Sequence, residues 1–358
     1  MRFERLVRSK RCPFLQWRQC GTLVCPVLVS DIMTKLLIDL EPLSSSDLFS
    51  ATVLERLRSR YCLVERGAES RKRFFASHIA DAAYVIGRPT LTRSTLTEAK
   101  SLKAVFNFAT LMPVETAHDD CNRLGIRLLS PRPAAGRALG EHALALALAL
   151  SHGIGAPGGS VSDISTSRLL TGRSLGLIGW GSAARGLVDV FRPFDSKVRV
   201  FSIRASRREL EKAGTVPASL DGVFNQSDIV IVMTPLRFKG YNEVGPMIDA
   251  TRIASMREGA MLIVLSRPEI LDFDAVNHAC AAGRLQAAID VQPRLELAAD
   301  DPRRGTSDLI VSERAGSALL GNYRELGEAI ADDISRLDAG LLPASCEEMD
   351  PGEFGENL

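Results

Sequence analysis

The chain has 358 residues, long enough for two domains of ordinary size. Its composition, 46% apolar and 24% charged, is that of a globular protein rather than a disordered or fibrous one. A net charge of +1 and the lack of an apolar run of membrane-spanning length argue against nucleic acid or membrane as a partner.

Residues 1–32 differ from the rest of the chain. They carry Arg2, Arg5, Arg8, Lys10, Arg11 and Arg18 against only Glu4 and Asp31. The expectation is an unstructured extension or an upstream start; an Arg-rich, acid-poor targeting segment is the alternative. A strand is predicted over Leu36–Leu40, then an amphipathic helix over Ser46–Ser59 capped by serine. Short apolar strands come next at Cys62–Glu65, Ala83–Ile86, Ala104–Phe108 and Ile126–Leu129, with a helix over Pro113–Leu124. This alternation predicts a small parallel α/β unit.

Arg137–Ser151 is predicted as a long helix. Its stretch Ala143–Leu150 is apolar on every face, so it must be buried in a core or against a partner. Gly153–Ser160 reads as a flexible loop. Next comes Leu175-Gly-Leu-Ile-Gly-Trp-Gly-Ser-Ala-Ala, an apolar run leading into Gly179-x-Gly181-x-x-Ala184. A helical segment containing Ser182 and Ala183 comes after it, then a second apolar run. Strand, glycine turn, helix, strand is the order that lays a dinucleotide pyrophosphate on a helix N-terminus. Gly179 permits the tight turn, Gly181 the approach of the phosphates, and Ala184 close helix–strand packing. Further strands are predicted at Val198–Phe201, Ile229–Met233, Met261–Leu265, Ala287–Asp290 and Leu309–Val311, with a last helix over Tyr323–Arg336.

Seven scattered cysteines, Cys12, Cys20, Cys25, Cys62, Cys121, Cys280 and Cys346, form no CxxC. They predict reduced thiols in the cytoplasm, and with the histidines they match no metal-site spacing.

Ligands of a doubly wound sheet sit beyond the carboxyl ends of its strands. One strand ends Phe201-Ser202-Ile-Arg204-Ala-Ser-Arg207-Arg208. Ser202 stands where an NAD site normally places an acid, and arginine can hold a 2′-phosphate by paired hydrogen bonds. NADP(H) is therefore favoured over NAD(H), unless the arginines are a solvated turn face. Thr234 and Pro235 end the next strand, a floor for the nicotinamide half or an ordinary turn. Ser266 and Arg267 end another; Arg267 either binds a substrate carboxylate or pairs with a local acid such as Asp272. Asp290 could accept from a nicotinamide carboxamide or cap the next turn.

Together these pieces resemble the D-isomer-specific 2-hydroxyacid dehydrogenase family. The resemblance runs from about Leu36 to Leu342. The blocks that carry it are Gly140-Glu-His-Ala-Leu-Ala-Leu, Leu170–Gly181, Ser227–Leu236, Glu258–Arg267 and Gly283–Val291. It implies two Rossmann-like or flavodoxin-like domains, each a doubly wound parallel sheet, with the active site in the cleft. Residues 33–133 plus 318–345 would form the substrate domain and 134–317 the NAD(P)-binding Rossmann domain. Residues 1–32 and the acidic 346–358 would be disordered ends. The resemblance also implies a small 2-oxo or 2-hydroxy acid as substrate, Arg267 as its clamp, Asp290 as carboxamide acceptor, and a homodimer.

Two departures stand out. The family's glutamate after the Asp-Val pair falls on Leu295, with Glu296 beside it. The proton-donating histidine should lie within Ser312–Gly316, yet no histidine occurs beyond His278, and the position falls on Glu313 or Arg314. Arg314 cannot give up its proton, which leaves Glu313 as the candidate donor. Of the five histidines, His142 is expected on a helix of the domain interface; His78, His118, His152 and His278 are expected at the surface or in packing. The family's Gly-x-Gly for the substrate carboxylate is also missing around Asn107–Pro113.

Overall fold

The computed structural model describes residues 33–107, 116–154, 168–234, 246–266, 268–291, 308–313 and 320–349. The first unit runs β1 (Lys35–Ile38), α1 (Ser45–Leu48), α2 (Ala51–Arg58), β2 (Cys62–Glu65) and α3 (Arg71–His78). It continues through β3 (Ala82–Ile86), α4 (Arg93–Glu98), β4 (Ala104–Phe106), α5 (His118–Arg123) and β5 (Arg127–Ser130). The long α6 (Arg132–His152) leads to a second unit: β6 (Leu175–Ile178), α7 (Ser182–Phe191), β7 (Val198–Phe201), α8 (Arg207–Lys212), β8 (Val216–Pro217) and α9 (Leu220–Gln226). Then come β9 (Ile229–Val232), α10 (Ala250–Ser255), β10 (Ala260–Val264), α11 (Phe273–Ala281), β11 (Leu285–Val291), β12 (Leu309–Glu313), α12 (Leu320–Asp338) and β13 (Glu347–Glu348).

Two sheets result. The first has the order β13-β5-β4-β3-β1-β2, parallel but for β13, which runs antiparallel to β5. The second, β12-β11-β10-β9-β6-β7-β8, is parallel throughout. Both are doubly wound, so the strands are covered on both faces and read as unbroken apolar runs. Alternate residues serve opposite layers. In β1, Leu36 and Ile38 join Leu48, Phe49 and Leu54 with Leu326, Ile330 and Ile334 of α12, whereas Leu37 joins Phe74, Phe75 and Leu96. In the second sheet, Leu177, Val200, Ile231 and Ile263 face Ala143, Ala147, Leu150 and Leu187; Val230, Val232 and Leu262 face Val223, Ile253 and Val276. The all-apolar stretch Ala143–Leu150 thus sends four of its residues into a core.

Several expectations need correction. The helix expected over Ser46–Ser59 is two. Phe49 is extended (φ −111°, ψ 142°) and buried, and Ser50 caps the second helix by accepting from the Val53 N–H at 3.3 Å. The long helix starts at Arg132 rather than Arg137, since Pro133 suits a first turn. The disordered tail does not begin at 346. Asp333, fully buried, accepts from the N–H groups of Ala344 (2.7 Å), Ser345 (3.2 and 3.1 Å) and Cys346 (2.6 Å). Cys346 and Met349 are buried and β13 pairs with β5. The 1–32 extension, most of the Gly153–Ser160 loop and residues 108–115 lie outside the described residues.

Candidate functional site

The site grows from the carboxyl ends of the second sheet. All four residues of β6 are buried, and the chain must turn sharply after Ile178. Gly179 does this at φ +106°, where a Cβ would stand 2.8 Å from the Met233 carbonyl oxygen. Only glycine meets both demands. Gly181 is the extended N-cap of α7 and offers no capping side chain; a Cβ there would meet nothing within 4 Å. The first turn of α7 therefore presents its positive end to open space, which suits an anion. Ala184 is 2% exposed, packed where a larger side chain would lift the helix off the sheet. Ala183 passes so close to α6 that a Cβ on Gly136 would stand 2.6 Å from its carbonyl oxygen.

Ser182 makes a contact that the sequence does not announce. Its Oγ donates to Glu347 Oε1 at 2.7 Å, and Glu347 also pairs with Arg132 Nη2 at 3.0 Å. The strand β13 of the first sheet is thereby fastened to the glycine-turn helix of the second.

At the end of β7, Ser202 Oγ accepts from the N–H groups of Arg204 (3.3 Å) and Ala205 (3.1 Å), a local serine turn. Arg204, Arg207 and Arg208 are exposed, and Arg207 pairs with Glu211 at 3.3 Å. Glu209 comes to the glycine turn: it accepts from Trp180 Nε1 at 3.2 Å and pairs with Arg185 at 3.1 Å.

At the end of β9, Thr234 is 3% exposed. Its Oγ1 is buried and lacks a hydrogen-bond partner among the described residues. Its carbonyl accepts from Ser266 Oγ at the end of β10, so these two expected site residues do meet. Asp272, considered as a partner for Arg267, instead caps α11 by accepting from the Ala275 N–H at 3.0 Å. Arg267, Pro235 and Glu296 lie outside the described residues.

At the end of β11, Asp290 is partly buried, its side chain 8% exposed, and Oδ1 accepts from Ser312 Oγ at 2.8 Å. His142 is not merely an interface residue: its Nε2 lies 3.7 Å from the same oxygen. Glu313 is the last residue of β12, in register with Val291. In the first sheet, Asn107 follows β4, is 1% exposed, and its Nδ2 faces Met349 Sδ at 3.5 Å.

A dinucleotide fits this end of the sheet. The uncapped helix start suits a pyrophosphate, and the Thr234 hydroxyl, without a partner among the described residues, is a buried polar group that a ligand could satisfy. Residues 158–313 match the family model described as D-isomer specific 2-hydroxyacid dehydrogenase, NAD binding domain. Over these residues, less than half of the chain, the protein is similar to the NAD-binding domain of the D-isomer-specific 2-hydroxyacid dehydrogenases. Among solved structures, a phosphoglycerate oxidoreductase from Rhizobium etli superposes with a TM-score of 0.76 at 28% identity, over 88% of this chain and 98% of that one. Among curated relatives, a glyoxylate reductase from Aeropyrum pernix is 24% identical over 49% of this chain and 51% of its own length. A D-3-phosphoglycerate dehydrogenase from Archaeoglobus fulgidus is 25% identical over 60% of this chain and 42% of its own length. The chain thus spans about half the length of the glyoxylate reductases it matches. Among the described residues, no helix is long and apolar enough to cross a membrane.

Proposed function

We propose that the protein is an oxidoreductase of the D-2-hydroxyacid dehydrogenase type, acting on a small 2-oxo or 2-hydroxy acid. The observation that carries this reading is the open, uncapped start of α7 at the glycine turn, on the same sheet edge as the Thr234 hydroxyl, which has no hydrogen-bond partner among the described residues. A bound nicotinamide would exchange a hydride with the substrate carbon. The chain's own residues would do the rest. Arg267, next after Ser266, holds the substrate carboxylate by paired charge-assisted hydrogen bonds and polarises the adjoining carbonyl. Asp290 accepts from the carboxamide. Glu313, at the end of β12, or water supplies the proton. An unperturbed glutamate is mostly ionised at neutral pH, and a proton donor contributes a factor of about 10²–10⁴, so turnover is expected to be slow.

NADP(H) is favoured over NAD(H), because Ser202 replaces an acid and Arg204 is exposed two residues on. A homodimer in the cytoplasm completes the reading.

The lack of any histidine beyond His278 favours a second reading, an NADP(H)-binding protein with little or no dehydrogenase activity. The two separate on one experiment, oxidation of NADPH and NADH against a panel of 2-oxo acids. Turnover that requires NADPH and disappears in Arg267→Ala supports the enzyme. Full activity in Arg267→Ala removes the proposed clamp. NADPH binding without turnover on any acid selects the second reading.

A further inference from the structure

His142 and Asp290 form a largely covered pair to which the proposed reaction gives only half a role. His142 lies on α6, and its side chain is 12% exposed; that of Asp290 is 8% exposed. His142 Nε2 is buried and has no hydrogen-bond partner among the described residues, yet it stands 3.7 Å from Asp290 Oδ1. That is longer than a hydrogen bond, and a small rotation of either side chain would close it to one. The same Oδ1 already accepts from Ser312 Oγ at 2.8 Å.

Three elements therefore converge on one oxygen. Asp290 comes from β11, and Ser312 from its register partner on β12. His142 comes from α6, whose height over the sheet is set by close backbone contact with α7. A Cβ on Gly140 would stand 2.9 Å from Leu187 Cα, and one on Gly186 would stand 2.7 Å from the carbonyl carbon of Gly136. A turn cap needs none of this; it needs one carboxylate and a nearby N–H. A buried ring nitrogen left without a hydrogen bond is costly, so its place against a carboxylate calls for a use.

We propose that His142 is a positioning residue for the nicotinamide. With Ser312 it holds Oδ1 of Asp290, and so fixes the direction in which the carboxylate meets the carboxamide N–H of the cofactor. This rests on the reading of Asp290 as carboxamide acceptor given above. His142 works through Asp290 and touches neither cofactor nor substrate.

The test is a comparison of two dinucleotides by isothermal titration calorimetry, NADP⁺ and its 3-acetylpyridine analogue. The analogue carries a methyl ketone in place of the amide and has no N–H to donate. His142→Ala should weaken NADP⁺ about tenfold, the scale of one well-placed hydrogen bond, and leave the analogue within about twofold. Ser312→Ala should show the same selective loss. His142→Gln, which keeps a donor on a side chain of similar reach, should recover most of the affinity. Equal weakening of both dinucleotides, or of neither, overturns the positioning role and leaves the cofactor site standing. A wild-type protein that binds neither overturns the cofactor site and the role with it. Unchanged thermal midpoints in the variants exclude misfolding as the cause.

Discussion

Asp228 shows how one side chain sets the frame of the site. It starts the segment leading to β9, and its carboxylate accepts from Ser174 N–H at 2.8 Å and Ser174 O–H at 2.6 Å, just before β6. The two strands that carry Gly179 and Thr234 are thereby held in step. Burial alone would raise the pKa of Asp228, but the Ser174 hydrogen bonds and the Arg257 guanidinium at 2.9 Å outweigh it and hold the carboxyl below its usual 3.8. A lowered folded pKa means that this stabilisation is complete above the unfolded value and is lost as pH falls through the folded one. Asp228→Asn should cost about 2 kcal/mol at pH 7, the worth of charge-assisted hydrogen bonds. The gap from wild type, read from urea midpoints, should narrow below about pH 4. A gap that holds constant down to pH 3 would mean that the charge is not what matters. Site residues are legible in the sequence only in part. Gly179, Thr234, Ser266 and Asp290 can be found because each ends a short apolar run, and strand ends are where such sheets bind. His142, Ser312 and Glu347 cannot, because each acts on a residue of another element and leaves no local pattern.

At the scale of elements, the α6–α7 crossing carries the site. Gly136 and Gly140 lie one turn apart on α6; Gly186 of α7 meets Gly136 at backbone distance, and Leu187 meets Gly140. The three glycines let α7 lie flat, with its first turn at the sheet edge. Gly186→Val should force the helices apart and cost about 2–3 kcal/mol by overpacking. Gly67→Ala, where a Cβ meets nothing within 4 Å, should change the urea midpoint little. An equal effect of the two would contradict the close-packed crossing. The spacing Gly136-x-x-x-Gly140 is visible in the sequence, but it identifies no partner helix until the fold supplies one. The break at Phe49 is more readable than the single helix expected there. Ser44 and Ser50 are two separate capping serines, the first with Asp47 closing a capping box. Tail residues 346–349 are illegible for a different reason: their acidic composition conceals that Asp333, on α12, binds the backbone at Ala344–Cys346.

For the molecule as a whole, the thiols reflect the layering. Burial pushes the Cys121 thiol up to about 11 and Cys280 up to about 12, and raises Cys346 further. The thiolate is the reactive form, so these three should alkylate at least about 10² times more slowly than a free thiol at pH 8, and at ordinary rates once the protein is denatured. Half-buried Cys62 should label first among the four described cysteines, as read by peptide mass spectrometry. Rapid labelling of Cys280 in the native protein would contradict the covered second sheet.

The return of α12 to the first sheet has a consequence in time. Leu326, Ile330 and Ile334 close the face of β1, β3 and β4, yet they are made roughly 190 residues after β5 is finished. At a synthesis rate of about 5–20 residues per second, that face waits roughly 10–40 s for its cover. The second sheet has all its own strands and covering helices before α12 emerges. The nascent chain should therefore carry a finished cofactor unit beside an open apolar face, and that face is where a ribosome-associated chaperone would bind.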